Sequence, residues 1–201
     1  WGDVDSGLVR LWDQKAPDWA EPLSIRTGSD RLSCLQFAPD DRWLGTGEPA
    51  ALWPLAGRYA RILKRHGEQV NDVAFSVDGS TLLSASGDGT LRAWPLSPNR
   101  AEGEQLLLRT DFLFDERFKW SRVAVDPNGG RVAFLARSDL VVLVPLAGGT
   151  ARELRASNAK LHSVAFSPDG RRVAAAGEVP SPPHDHGRGV WGLDGGGATP
   201  P

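Results

Sequence analysis

Three tryptophans recur at one fixed interval and set the length of a repeating structural unit. Trp12, Trp53 and Trp94 are each separated from the next by 41 residues. Short segments rich in Gly, Asp, Asn and Pro recur in the same register. A sequence period of about 20–50 residues indicates an array of similar units that bury their apolar faces against one another. The chain is therefore expected to fold as a series of stacked repeats.

The segment from residue 65 to residue 94 is the clearest copy of this unit. It contains three runs of apolar and β-branched residues, at Val70–Phe75, Thr81–Ser86 and Thr90–Trp94, and such runs are typical of β-strands. Both gaps between the runs contain an Asp-Gly pair, and glycine tolerates the positive φ of a tight hairpin turn. The segment therefore predicts three antiparallel strands in succession.

This segment resembles a repeat of the WD family of β-propellers, whose signature has Gly-His near the start and Trp-Asp near the end. His66 and Trp94 stand at two of these positions, whereas Arg65 replaces the Gly and Pro95 replaces the final Asp. The resemblance implies an all-β fold in which blades of four antiparallel strands stack side by side around an axis. It also implies no enzymatic activity and no cofactor.

The resemblance further implies a buried structural tetrad in this repeat, formed by His66, Ser84, Asp88 and Trp94. These side chains can bond in series because the indole N–H donates, the hydroxyl and imidazole both donate and accept, and the carboxylate accepts. As a hydrolase triad, the His, Ser and Asp would lack the Gly-x-Ser-x-Gly turn of a nucleophile. Gly28 stands at the His position of the preceding repeat, and Val144 replaces the Trp in the following one.

The same pattern extends over nearly the whole chain and predicts about five blades, three full and two partial. The predicted units are a partial blade over 1–27, blades over 32–63, 70–109 and 121–155, a partial blade over 161–193 and a disordered Gly- and Pro-rich tail over 194–201. Both partial units supply the same third strand, so neither completes the other and the ring is expected to be incomplete. Because the chain has no Met and begins inside a repeat, it is expected to be a fragment of a larger protein.

Composition excludes several classes of protein. A net charge of −2 over 201 residues gives no strong attraction to nucleic acid or to an anionic membrane. The single cysteine, Cys34, rules out an internal disulfide and fits a reducing compartment, so a cytoplasmic location is expected. No apolar run reaches the length of a transmembrane helix.

Arg far outnumbers Lys among the 23 basic residues, a bias that accompanies GC-rich coding DNA and suggests a bacterial source.

The family resemblance places partner contacts on the rim where the innermost strand of each blade begins. The residues at that position, with one aromatic neighbour, are Arg31, Gln69, Lys119, Trp120 and Lys160. Most of them are cationic or aromatic, and Arg and Trp are frequent anchors of protein interfaces. The alternative interpretation of these positions is a solvated loop end.

One motif, His184-Asp185-His186, has metal-ligand character. On an extended chain the two rings of a His-x-His motif lie on the same side, but zinc needs at least one further ligand that the spacing does not supply. No metal is therefore expected, and a polar surface loop is the simpler interpretation. A metal-assisted hydrolase that uses His184 and His186 remains a third functional hypothesis.

The predicted function is a non-catalytic scaffold for protein–protein interaction within a larger regulatory or signalling protein. The alternative is a TolB-like or peptidase-associated accessory propeller, because the Phe-Ser-Pro-Asp-Gly turn at Phe166–Gly170 also occurs in those families. An open arc of blades leaves apolar faces uncovered at its ends, so self-association is expected as well.

Overall fold

The computed structural model describes residues 7–17, 20–28, 32–48, 50–56, 60–96, 105–109, 122–156, 159–178 and 188–192. These residues form 17 β-strands and no helix. The all-β prediction is therefore confirmed. The described part of the chain holds no helix with the length and apolar character that a membrane span requires.

The strands form five antiparallel sheets, and each sheet uses consecutive strands in chain order. We number the sheets as blades 1 to 5. Blade 1 contains β1 (Leu8–Leu11) and β2 (Leu23–Arg26). Blade 2 contains β3 (Leu35–Phe37), β4 (Trp43–Thr46), β5 (Ala51–Pro54) and β6 (Arg61–Ile62). Blade 3 contains β7 (Val70–Phe75), β8 (Thr81–Ser86), β9 (Thr90–Pro95) and β10 (Gln105–Arg109).

Blades 4 and 5 repeat the arrangement. Blade 4 contains β11 (Arg122–Val125), β12 (Arg131–Arg137), β13 (Leu140–Pro145) and β14 (Arg152–Arg155). Blade 5 contains β15 (Lys160–Phe166), β16 (Arg172–Glu178) and β17 (Arg188–Gly192). Three four-stranded sheets thus lie between a two-stranded and a three-stranded one, which confirms the prediction of three full and two partial blades.

The turn after the first strand of a blade is held by a side-chain hydrogen bond. In blade 3, Oδ1 of Asp78 accepts from the Ser76 hydroxyl at 2.6 Å, and Gly79 adopts a left-handed φ of +69°. Blade 5 repeats this bond, because the Ser167 hydroxyl donates to Oδ1 of Asp169 at 2.6 Å. The Ser-x-Asp-Gly sequence therefore forms a hairpin turn in which the Asp carboxylate accepts a hydrogen bond from within the turn.

The core lies between the blades, because the sheets in the middle of the array bury both of their faces. Phe134 of β12 packs with Leu83 and Leu91 of blade 3. Its chain neighbour Leu135 packs with Leu161 of blade 5. Both Phe134 and Leu135 have 0% exposure, as expected when successive side chains point to opposite faces of a strand. Each such side chain stabilises the fold by about 1.5–3 kcal/mol.

The described strands do not close into a ring. Among the described residues, blade 1 has no counterpart of the two inner strands of blades 2 to 5. As a result, Leu35 and Phe37 on the innermost strand of blade 2 are 53% and 48% exposed, and Trp12 beside β1 is 67% exposed. The arc therefore carries an uncovered apolar face at this end.

Candidate functional site

The four tetrad positions of blade 3 lie in one hydrogen-bonded network. Nε1 of Trp94 donates to Oγ of Ser84 at 2.8 Å, and Oγ of Ser84 lies 2.6 Å from Nε2 of His66. On the other side of the ring, Nδ1 of His66 lies 3.2 Å from Oδ2 of Asp88. The Ser84 side chain is fully buried, and the His66 side chain is 3% exposed.

Thr90 is a fifth member of this network, and the sequence analysis did not predict it. Its hydroxyl donates to Oδ1 of Asp88 at 2.6 Å and lies 3.0 Å from Nδ1 of His66. Because the Thr90 proton goes to Asp88, its oxygen accepts from the His66 N–H, and Nε2 of His66 is left to accept from Ser84. The only sequence signal for Thr90 is a hydroxyl two residues after the tetrad Asp.

Asp88 carries the negative end of the network. Burial by itself raises the pKa of Asp88, but hydrogen bonds from His66, Thr90 and the backbone N–H of Gly67 outweigh it and leave the pKa well below its ordinary value. The Gly67 bond is 2.9 Å long. Asp88 is therefore a charged acceptor that fixes the loop before β7 to the turn between β8 and β9.

The neighbouring blades keep only parts of this network. In blade 2, Nε1 of Trp53 donates to Oγ1 of Thr46 at 3.1 Å, so the Trp–hydroxyl pair persists without the His. In blade 4, the strand register puts Phe134 at the Ser84 position and Val144 at the Trp94 position, and both are buried. Replacing the hydrogen-bonded Trp–Ser pair by two apolar side chains leaves neither a donor nor an acceptor unsatisfied at these two positions.

Two of the five predicted rim residues lie in the described part of the chain. Gln69 is exposed directly before β7, and its C=O accepts from the N–H of Gly87 at 2.9 Å. Lys160 is the exposed first residue of β15. Both therefore stand where an innermost strand begins, at the edge that carries the His66–Asp88 contact. Arg31, Lys119 and Trp120 lie outside the described residues.

A cavity of about 530 Å³ opens on this edge, between blade 2 and the start of β7. We call it the rim cavity. Its walls include the buried side chains of Ala50, Leu63 and Val70 together with Glu48 and Gln69. Four apolar side chains and six polar or charged ones line the cavity.

Asp72 links the innermost strands of blades 3 and 4, and sequence analysis did not single it out. Its Oδ2 accepts from the N–H of Val123 at 3.0 Å, much as Oε1 of Gln36 in blade 2 accepts from the N–H of Phe75 at 3.1 Å. Burial raises the pKa of Asp72, and the opposing effects of hydrogen bonds and of Arg122 do not fully offset it. An acidic residue inside a strand whose other side chains are mostly apolar was the available signal.

Two segments of the chain, residues 57–95 and 148–178, match the family model described as "WD domain, G-beta repeat". The first segment contains the whole network of blade 3. The chain therefore contains repeats of the WD family. The second match includes β15 and β16, so WD-repeat character extends to blade 5.

Three curated proteins are related to this WD-repeat chain. Human transducin beta-like protein 2 is 26% identical over 197 residues, which cover 86% of this chain and 42% of the relative. Rat Jouberin is 25% identical over 164 residues, covering 75% and 15% of the two chains. Zebrafish WD repeat-containing protein 91 is 27% identical over 167 residues, covering 79% and 23%. This chain thus spans less than half the length of each of them.

The three relatives come from animals, so they lend no support to the bacterial source expected from composition, which stays a prediction.

His184, Asp185 and His186 lie outside the described residues. Within the residues that are described, no three His, Cys, Asp or Glu side chains are grouped to hold a metal ion. Burial raises the pKa of Cys34 to about 11, so its thiol stays protonated at neutral pH and is a poor nucleophile.

Proposed function

We propose that this WD-repeat chain is a non-catalytic platform that binds a protein partner through the rim where the innermost strands begin, as part of a larger regulatory or signalling protein. The observation that carries the proposal is the exposure of Gln69 and Lys160 at corresponding positions of blades 3 and 5, where the innermost strands β7 and β15 begin. Exposed side chains on a rigid scaffold are suited to recognition.

The state of the network argues against catalysis at the His, Ser and Asp positions. Ser84 has 0% exposure, so no substrate can reach its hydroxyl. Its oxygen already accepts from Trp94 and its proton is directed to His66. A side chain whose donors and acceptor are all used inside the fold acts as structure.

No observation favours the accessory-propeller alternative, since the WD-repeat match covers the Phe166–Gly170 turn on which it rests. The proposal includes the cytoplasmic location expected from the single cysteine. It requires no nucleic acid and no membrane, in keeping with the small net charge of −2.

Site-specific photo-crosslinking tests the rim directly. A photoreactive residue at position 69 or at position 160 is expected to capture a protein partner in cells of the source organism. Val77 is 50% exposed and lies just beyond the opposite end of β7, so the same residue at position 77 is a matched control and is expected to capture none. Capture from position 77 alone would contradict the proposal.

A further inference from the structure

The turn between β11 and β12 carries a chemically reactive pair of residues, Asn128 and Gly129. Asn128 is exposed, and Gly129 adopts a left-handed φ of +76°. An asparagine amide is most open to attack by the next backbone nitrogen when that residue is glycine, because no Cβ hinders the approach. The pair is therefore a candidate for spontaneous loss of ammonia.

The reaction at this pair is deamidation, and it needs only water. The nitrogen of Gly129 loses its proton and bonds to Cγ of Asn128, while the bond from Cγ to Nδ2 breaks and ammonia leaves. Water then opens the resulting succinimide ring at one of its two carbonyl groups. The product at position 128 is aspartate or isoaspartate, so one water is consumed, one ammonia is released, and nothing is oxidised or reduced.

Two hydrogen bonds oppose this reaction in the folded chain. The N–H of Gly129 donates to the C=O of Asp126 at 2.7 Å, which retains the proton that the attacking nitrogen must lose. Nδ2 of Asn128 donates to the C=O of Asp169 at 3.2 Å, 41 residues later in the chain. Because Asp169 belongs to the first turn of blade 5, ring closure requires the turns of blades 4 and 5 to separate.

Arg131 holds these two turns together. Its Nε donates to Oδ2 of Asp126 at 3.0 Å, and its Nη2 donates to the C=O of Gly170 at 3.2 Å. The fit is close, since a Cβ at Gly170 would collide with the amide of Asn128. Arg131 therefore keeps the Asn128 amide against blade 5.

We propose that Asn128 is a site of spontaneous deamidation and that the contact between blades 4 and 5 controls its rate. The proposal does not depend on the rim function. The product replaces the Nδ2 donor by a carboxylate oxygen that faces the C=O of Asp169, so two acceptors repel each other. Arg131 already donates to Asp126 and Gly170. Deamidation is thus expected to weaken the contact that had slowed it.

Peptide mapping by mass spectrometry tests the chemistry. The folded 201-residue chain and a capped peptide of residues 125–131 are incubated in the same neutral buffer, and conversion at position 128 is followed with time. The peptide is expected to deamidate, and the chain to do so at least about tenfold more slowly. Asn71, buried in β7, is an internal control that should stay unmodified. Equal rates in chain and peptide, or an unreactive peptide, would overturn the proposal.

A substitution that loosens the two turns separates control by the contact from simple reactivity. Arg131→Ala is expected to speed conversion at position 128 at least about threefold, because it removes the bonds to Asp126 and Gly170. Arg42, which lies beside Asp40 in the corresponding turn of blade 2, provides the control. Arg42→Ala should change the rate less than about twofold. An Arg131→Ala variant that reacts no faster than the parent would refute the control by this contact.

Asn128→Asp reproduces one product and tests its consequence, even if Arg131→Ala failed to fold. It is expected to lower Tm by about 2–5 °C, since a hydrogen bond is lost and an acceptor faces the C=O of Asp169. Asn128→Ala removes the donor without adding a charge and should lower Tm less. A Tm of Asn128→Asp equal to that of the parent would show that deamidation leaves the contact between blades 4 and 5 intact.

Discussion

Oγ of Ser84 lies 2.6 Å from Nε2 of His66, although 18 residues separate them in the chain. This contact joins the middle of β8 to the loop that leads into β7. Because Trp94 donates to the same oxygen from β9, one hydroxyl connects three successive parts of blade 3. The network is therefore expected to contribute to the stability of the whole blade.

Asp88→Ala is expected to lower the free energy of unfolding by about 1–3 kcal/mol, because it leaves the donors of His66, Thr90 and Gly67 without their acceptor. Urea denaturation monitored by tryptophan fluorescence measures the loss. Asp169→Ala, which removes an exposed turn carboxylate, is the control and is expected to cost less. An Asp88→Ala variant as stable as the parent would show that the network contributes nothing.

The same carboxylate gives stability a defined dependence on pH. The pKa of Asp88 is lower in the folded chain than its ordinary value of 3.8, so its contribution is complete above that value and is lost as pH falls towards the lowered pKa. The difference in Tm between the parent and Asp88→Asn is expected to be constant from pH 7 to about pH 5 and to shrink below about pH 4. A gap that widened on acidification would contradict this sign.

Gly170 and Gly148 provide a matched pair for the packing between blades 4 and 5. Both have positive φ, at +67° and +86°, but a Cβ at Gly170 would collide with Asn128 and Asp126, whereas nothing lies within 4 Å of one at Gly148. Gly148→Ala is expected to cost about 1–2 kcal/mol from backbone strain alone. Gly170→Ala should cost at least about 1 kcal/mol more, and equal losses in thermal unfolding would argue against close contact of the two turns.

The exposed side chains at the blade 1 end lead to a prediction about assembly. The 201-residue chain is expected to self-associate through Leu35 and Phe37, since water contact with such surface costs about 25 cal/mol per Å². The double variant with Ser at both positions should have a lower mean mass in light scattering, whereas Val77→Ser should not. A parent chain that is monomeric and binds no hydrophobic dye would show that this surface does not drive self-association.

Much of the fold could be predicted because its main determinants are local in sequence. The spacing of Trp12, Trp53 and Trp94 reports the length of a blade directly, and Asp-Gly turns mark where strands end. The tetrad positions came from the resemblance of residues 65–94 to a WD repeat. These features depend on one blade at a time and require no knowledge of its neighbours.

The candidate binding site could not be predicted in the same way. The hydrogen bond from the Val123 N–H to Asp72 depends on how two blades are rotated against each other, which no short sequence pattern encodes. The loss of polar partners at Phe134 and Val144 became interpretable only once the strand register matched them to Ser84 and Trp94.

Phe134 and Leu135 are consecutive in the chain but belong to different interblade cores. One extra residue inserted before them in β12 would turn each side chain towards the wrong neighbour and spoil both cores at once. An inner blade therefore contributes one face to each of two cores. The stability of the array is approximately a sum of terms for the blades and for the interfaces between neighbouring blades. A partner that tightens blade 3 is therefore expected to slow amide hydrogen exchange in blade 4, and more weakly in blade 5, without touching either.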